Sequence, residues 1–291
     1  MEFKLHSRYK PKRIILLGTS GIISENLQRE FIKKNISFLK IGRKKNNFKN
    51  KSSVKLLKKL ILKKDVIIFI SAETPVKNKL MMRNNLKMCK NIINSLKGKD
   101  FERLIYVSSD AVYSDTKKKI NETSKTLPGS LHGKMHLKRE TMLIHHFKKR
   151  LCILRPTLIY GPGDNHSGYG PNQFIKLAKF RKAISLFGNG EERRDHVYID
   201  DVVKIICECI YSNARGILNL ASGKVVSFNK IAKIINSVSK NFNDIVKIKR
   251  NGPMPHNGYR PFEITKIKKN FKKIKITQIE VGIKKYLQVI K

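Results

Sequence analysis

The sequence predicts an α/β protein, a doubly wound parallel sheet with a smaller mixed C-terminal lobe. Three observations carry that expectation. Short apolar runs alternate with stretches of helical spacing through the first 160 residues. The first apolar run ends in Gly18-Thr19-Ser20-Gly21, a turn set between a strand and a helix. After Arg155-Pro156 the pattern shortens and Gly and Pro accumulate.

Residues 13–17 are apolar after the leading Arg13, as a strand buried on both faces must be. Residues 20–34 then show helical spacing through Ile23, Leu27 and Phe31. Strands are expected at 36–41, 66–70, 104–107 and 151–154, with helices at 54–62, 80–96 and 135–147 between them. Such alternation builds right-handed βαβ units and hence a parallel sheet. The polar run 44–51 reads as a surface loop, and 161–171 as a long Gly/Pro-rich one. Helices follow near 174–180, 202–211, 228–238 and 279–289, with short strands at 217–220 and 245–248. The expected division is a mainly dinucleotide-binding part, 1–160, and a mainly substrate-binding part, 161–291, with the chain crossing between them.

At 291 residues the chain can bury a sizeable core. No apolar run approaches the roughly 20 residues needed to span a bilayer. The N-terminal residues lack the apolar core of a signal peptide, so the cytoplasm is the expected compartment. Cys89, Cys152, Cys207 and Cys209 have neither metal-ligand nor disulfide spacing and read as reduced, partly buried thiols; no metal site is expected. The 63 basic and 21 acidic residues give a net charge of +42. That field would attract nucleic acid or an anionic membrane. Lys is nonetheless spread from end to end beside abundant Ile and Asn, which reads as compositional drift. No interleaving of basic and aromatic residues marks a specific nucleic-acid site. The same field would draw phosphorylated substrates.

Gly18 and Gly21 let the strand turn sharply and the backbone approach a pyrophosphate at a helix N-terminus. Ser20, Ile22 and Ile23 complete that turn. Ser24 stands where a third glycine usually gives close helix–strand packing. The second strand runs into Arg43 and Lys44. A basic residue there accommodates the 2′-phosphate of NADP, an acidic one the free ribose of NAD, so the cofactor expectation leans to NADP over NAD. Asp65 is a candidate neighbour of the adenine, or a turn residue.

With these segments the chain resembles the extended short-chain dehydrogenase/reductases, in the NAD-dependent epimerase/dehydratase branch acting on nucleotide sugars. The resemblance runs from about Arg13 to Phe271 and implies a Rossmann-type fold. It rests on Gly18 to Ser24; Asp65-Val66-Ile67-Ile68; Val107-Ser108-Ser109-Asp110-Ala111-Val112-Tyr113; Leu154-Arg155-Pro156 through Gly163; Arg193-Arg194-Asp195-His196-Val197-Tyr198-Ile199-Asp200-Asp201-Val202; and Leu218-Asn219-Leu220-Ala221-Ser222-Gly223. It implies that Ser109 hydrogen-bonds the sugar oxygen being oxidised and that Arg194 binds the substrate diphosphate, with Asn172 and Arg260 in the same pocket. Asp110 matches the acid of dehydratases, but Ala111 replaces the Glu that follows it there, which argues against full dehydratase chemistry. Tyr113 and Tyr160 read as packing or loop-positioning residues, and Asp200 as a candidate helix cap.

One departure matters most. The family's general base is a Tyr with a Lys four residues later on the same helix face. Here those positions hold His132 and His136. Neutral His132 can accept a proton, and a protonated His136 would partly replace the Lys charge. Lys134 and Lys138 lie on another face. Three functions follow as expectations. The first is an NAD(P)-dependent nucleotide-sugar epimerase or reductase, serving surface polysaccharide synthesis. The second is a cofactor-binding sensor or scaffold without turnover. The third is a charge-driven nucleic-acid-associated protein. A homodimer is an open expectation.

Overall fold

The computed structural model describes residues 1–164, 168–239 and 243–290. Its elements are β1 (Ile14–Leu17), α1 (Ile22–Lys33), β2 (Phe38–Ile41), α2 (Ser53–Leu60), β3 (Val66–Phe69), α3 (Lys79–Leu96), β4 (Arg103–Val107), α4 (Leu131–Phe147), β5 (Leu151–Pro156), β6 (Leu158–Tyr160), α5 (Pro171–Lys179), β7 (Ile184–Phe187), β8 (Arg193–Tyr198), α6 (Ile199–Tyr211), β9 (Gly216–Leu220), β10 (Val225–Ser227), α7 (Phe228–Ser239), β11 (Ile245–Ile248), β12 (Tyr259–Arg260), α8 (Thr265–Asn270) and α9 (Ile279–Val289).

Six strands form one sheet in the order β2-β1-β3-β4-β5-β9, every pair parallel. The order reverses between β1 and β3, and crevices for ligands open at such switch points, beyond the carboxyl ends of the strands. Alternate residues feed opposite faces. Ile14, Leu16, Val66, Ile68, Ile105 and Leu154 pack with α1 and α6, while Ile15, Leu17, Ile67, Phe69, Leu104 and Ile153 pack with α2, α3 and α4. Both faces are covered, which is why these strands read as continuous apolar runs.

After β5 the chain builds a smaller sheet, β10-β8-β12 with β6 beside β8, and a two-stranded pair, β11-β7. It returns to the large sheet only for β9. The smaller lobe was the least visible in the sequence. The run Arg193–Tyr198 is a strand despite starting on charges, because Arg194 and His196 turn to one face and Asp195 and Val197 to the other. Asp200 does not cap α6. The cap position is Tyr198, and Asp200 sits in the first turn. The expected loop 161–171 includes residues 165–167, which lie outside the described residues. Among the described residues no helix is long and apolar enough to cross a membrane and no cluster fits a metal. All four cysteines are buried and free.

Candidate active site

The cofactor end forms where β1 and β3 finish side by side. Gly18 leaves β1 at φ +110°, and a Cβ there would lie 2.8 Å from the Ser71 amide nitrogen, so no other residue fits. Gly21 follows at φ +95°, with open space where a Cβ would be. Helix α1 starts at Ile22 with no side-chain cap, which leaves its first amides for an anion. Glu25 approaches the turn amides, with Oε1 3.4 Å from Gly21 N, while Gln28 Nε2 donates to Thr19 O at 3.0 Å. The Ser71 hydroxyl is buried without a partner. A glycine cradle, uncapped amides and an orphaned hydroxyl fit the pyrophosphate end of a dinucleotide. Ser20 is exposed on the turn, while the Ile23 side chain is core and offers the site only its backbone. The Ser24 hydroxyl donates to Gly18 O at 2.9 Å and ties α1 to the turn after β1.

Arg43 and Lys44 are exposed just beyond β2. Nearby, Lys49 pairs with Glu73 at 2.8 Å. Asp65 is not beside an adenine. It precedes β3, at the opposite end of the strand from Ser71, and is buried in a two-point pair with Arg13 at 2.9 and 2.7 Å. It closes the bottom of the sheet.

The residues expected to be catalytic come together between β4 and α4. Ser109 follows β4 and caps the short 3-10 turn Asp110–Val112, its Oγ accepting from Ala111 N at 3.2 Å. Helix α4 begins at Leu131, earlier than the apolar spacing indicates, capped by Ser130 Oγ accepting from Gly133 N at 3.1 Å. A Cβ at Gly133 would sit 2.0 Å from Ala111 O. Glycine therefore lets the first turn of α4 close against the turn that carries Ser109 and Asp110. His132 rides on that first turn, and its Nδ1 is buried with no partner. The His132 and His136 rings meet edge to face at 4.7 Å. Burial holds His132 below the ordinary imidazole value, against the pull of Asp110.

His136 does not carry the expected charge. It is 4% exposed, its Nδ1 is 2.7 Å from the Tyr106 hydroxyl, and burial together with His132 and Arg139 drives it well below the usual value. A neutral imidazole cannot replace an ammonium. Below it, Glu140 accepts from Ser108 Oγ at 2.6 Å and pairs with Arg155 at 2.9 and 2.5 Å. Arg155 in turn stacks on Tyr113, whose hydroxyl donates to Asn219 Oδ1 at 2.7 Å.

The smaller lobe brings more cations together than the sequence assigned. Arg194 is 9% exposed and donates to Glu192 at 3.2 Å. Arg250 reaches the same Glu192 at 3.4 Å and lies over Phe187. Its Nε and Nη2 are buried without a hydrogen-bond partner. Asn172 accepts from Gly161 N at 3.0 Å, donates to Ile159 O at 3.2 Å, and lines a cavity of about 160 Å³ with Asp164, Tyr169 and His196. Arg260 is not free for substrate. It is 1% exposed and clamps Asp110 Oδ2 at 2.9 Å, Asp110 O at 2.6 Å and Asp115 Oδ1 at 3.1 Å. His256 Nδ1 lies 2.5 Å from the same Asp115 oxygen. A larger cavity of about 740 Å³, lined by Ser222, Ile264, Ile267, Ile276 and Glu280 among others, includes none of Gly18, Ser109, His132 or Arg194. Arg250 and Arg139 carry no signal in the sequence, because single cations do not stand out among 63, and His256 lies in no motif.

The model of the NAD dependent epimerase/dehydratase family matches residues 14–221. The chain is 27% identical over 273 residues to a dTDP-D-glucose 4,6-dehydratase of Dictyostelium discoideum, covering 78% of this chain and 62% of that protein. It is 24% identical over 162 residues to the uncharacterized UDP-glucose epimerase YtcB of Bacillus subtilis (strain 168), covering 54% of this chain and 51% of that one. The chain thus spans less than two thirds of the length of either relative. In fold it is similar to UDP-glucose 4-epimerase of Thermotoga maritima, solved with UDP-glucose, at a TM-score of 0.84 and 17% identity over 96% of this chain and 98% of that one. The family match takes in the glycine turn, the Ser109 turn and the helix bearing His132, and covers well over half of the chain: this protein belongs to the NAD-dependent epimerase/dehydratase family.

Proposed function

We propose that the protein is an NAD(P)-dependent oxidoreductase acting on a nucleotide sugar, as an epimerase or ketoreductase in surface polysaccharide synthesis in the cytoplasm. Residues 1–160 mainly hold the cofactor and 161–291 mainly the substrate. The observation that carries this reading is the closure of α4 on the Ser109 turn through Gly133, with an unpartnered His132 nitrogen beside it. Ser109 Oγ holds the sugar hydroxyl, and neutral His132 takes its proton as general base. The cofactor, when bound, supplies the hydride chemistry. Arg194 and Arg250 grip the diphosphate, and Glu192 holds their side chains in place. Asp110, fixed by Arg260, lies close enough to His132 to stabilise its protonated form. The basic Arg43-Lys44 pair favours NADP.

A panel of UDP-, dTDP- and GDP-sugars incubated with NAD or NADP, followed by chromatography and absorbance at the reduced-nicotinamide band, tests this. Conversion of one sugar nucleotide, lowered by His132→Phe by roughly two to four orders of magnitude, is expected. Equal activity in the Phe variant ends the catalytic assignment. The neutral, buried state of His136 favours a second reading, a binding protein without turnover. Cofactor and sugar-nucleotide binding without conversion, restored by His132→Tyr/His136→Lys, selects it.

A further inference from the structure

Arg139 lies one helical turn beyond His136 on α4 and is 0% exposed. Its guanidinium has no carboxylate partner among the described residues. It donates instead to Ser71 O at 2.9 Å, to Asn85 O at 3.0 and 2.7 Å, and to Asn85 Oδ1 at 3.0 Å. It stacks over Phe69 at 4.9 Å, Phe69 packs on Tyr106 at 5.2 Å, and Tyr106 bonds His136. A buried cation balanced only by dipoles costs several kcal/mol relative to water. A tie between β3, α3 and α4 alone could be made by a neutral side chain. Ser71, which Arg139 touches, is also the residue against which the Gly18 turn closes. The charge is therefore fixed between Ser71, on which the Gly18 turn closes, and the Phe69–Tyr106 contact that leads to His136.

We infer that Arg139 is the fixed cation of this active site, standing in for the ammonium that the His136 position lacks and favouring the uncharged reduced nicotinamide over the oxidised cation. The inference rests on the oxidoreductase reading above and goes further by giving the displaced charge a new residue. Arg139 is a positioning residue, since it acts through its field and touches neither substrate nor reacting atoms. The groups facing the imidazoles agree with this. Burial and Arg139 lower both histidines, Asp110 opposes them at His132, and Tyr106, which bonds His136, also feels Cys89 and Glu140. With His132 kept neutral chiefly by burial and further by this charge, the base is ready to accept a proton at neutral pH.

The test compares Arg139→Gln, Arg139→Lys and Asn85→Asp. The last keeps the guanidinium and sets a carboxylate against it. Two readouts need no turnover: the affinity ratio for oxidised and reduced NAD and NADP by calorimetry, and the His132 titration by imidazole NMR. Arg139→Gln and Asn85→Asp are expected to shift the ratio about tenfold towards the oxidised cofactor, the order of a unit charge inside a protein. Both should raise the His132 midpoint. Arg139→Lys should do neither. Unchanged ratio and midpoint in Asn85→Asp overturn the inference, as does an equal shift in Arg139→Lys and Arg139→Gln. If the parent binds no nicotinamide cofactor the oxidoreductase reading fails, and the His132 titration alone then decides whether Arg139 sets the charge of the site.

Discussion

Replacing Gly133 by alanine sets two effects of opposite sign against each other. Inside a helix, alanine is favoured over glycine by about 1 kcal/mol. At this position, however, the added Cβ would lie 2.0 Å from Ala111 O and 2.7 Å from Pro128 Cβ. Non-bonded heavy atoms rest near 3.5 Å, so helix and turn must separate by about 1 Å or more. Overpacking of this kind costs about 1–3 kcal/mol, which outweighs the helical gain. The displacement falls between Ser109 and His132, where a shift of about 1 Å can lower turnover about 100-fold. Urea denaturation and sugar-nucleotide conversion measure the two losses, with Gly129→Ala as the control because its Cβ would meet nothing within 4 Å. A Gly133→Ala variant at least as stable as the parent, with unchanged kcat, would refute the argument that this contact builds the site.

His196 is 3% exposed, and burial pushes its pKa down to about 3, so the unfolded chain takes up a proton near pH 6.5 that the folded protein refuses. Acid therefore favours unfolding, by about 2 kcal/mol between pH 7 and pH 5 from this residue, with His136 acting in the same direction. His196→Phe should flatten the dependence of urea stability on pH, and an unaltered slope would contradict the assignment. Glu140→Gln leaves the buried Arg155 without its carboxylate and should cost about 3–5 kcal/mol; a loss under about 1 kcal/mol in thermal melts would show the pair to be dispensable. Arg43→Asp should reverse a preference for NADP over NAD in calorimetry, and an unchanged selectivity would remove Arg43 from cofactor discrimination.

The large sheet was legible because both of its faces are covered. Val66–Phe69 and Leu151–Leu154 are apolar without interruption, and only a strand between two helical layers needs that. The glycine turn was legible for a different reason, since Gly18 stands where any Cβ strikes Ser71. The small lobe was not. Arg193–Tyr198 buries Arg194 against Glu192, His196 against Arg194 O and Asp195 against Thr157, Ser222 and Gly223, and such burial leaves no hydrophobic period. Asp65 and Arg260 failed as site residues for the same reason. Each is a buried charge whose counter-ion, Arg13 or Asp110, is fixed only by the tertiary fold. Arg139 shows the limit most clearly, because its spacing from His136 is ordinary and its burial is the informative fact.

The return of the chain to the large sheet has a consequence for anyone dividing this protein. Strand β5 is bordered on one side by β4 and on the other by β9, which comes from well beyond the small lobe's first strands. A fragment ending at residue 160 would keep the cofactor turn and the histidine pair but lose β9. It would then present β5, buried along all six residues, as a long apolar edge with unpaired amides and carbonyls. Open edges of that kind recruit other chains. Such a fragment is expected to self-associate through β5, and the intact protein avoids this by sending a strand from its distal half to seal the edge.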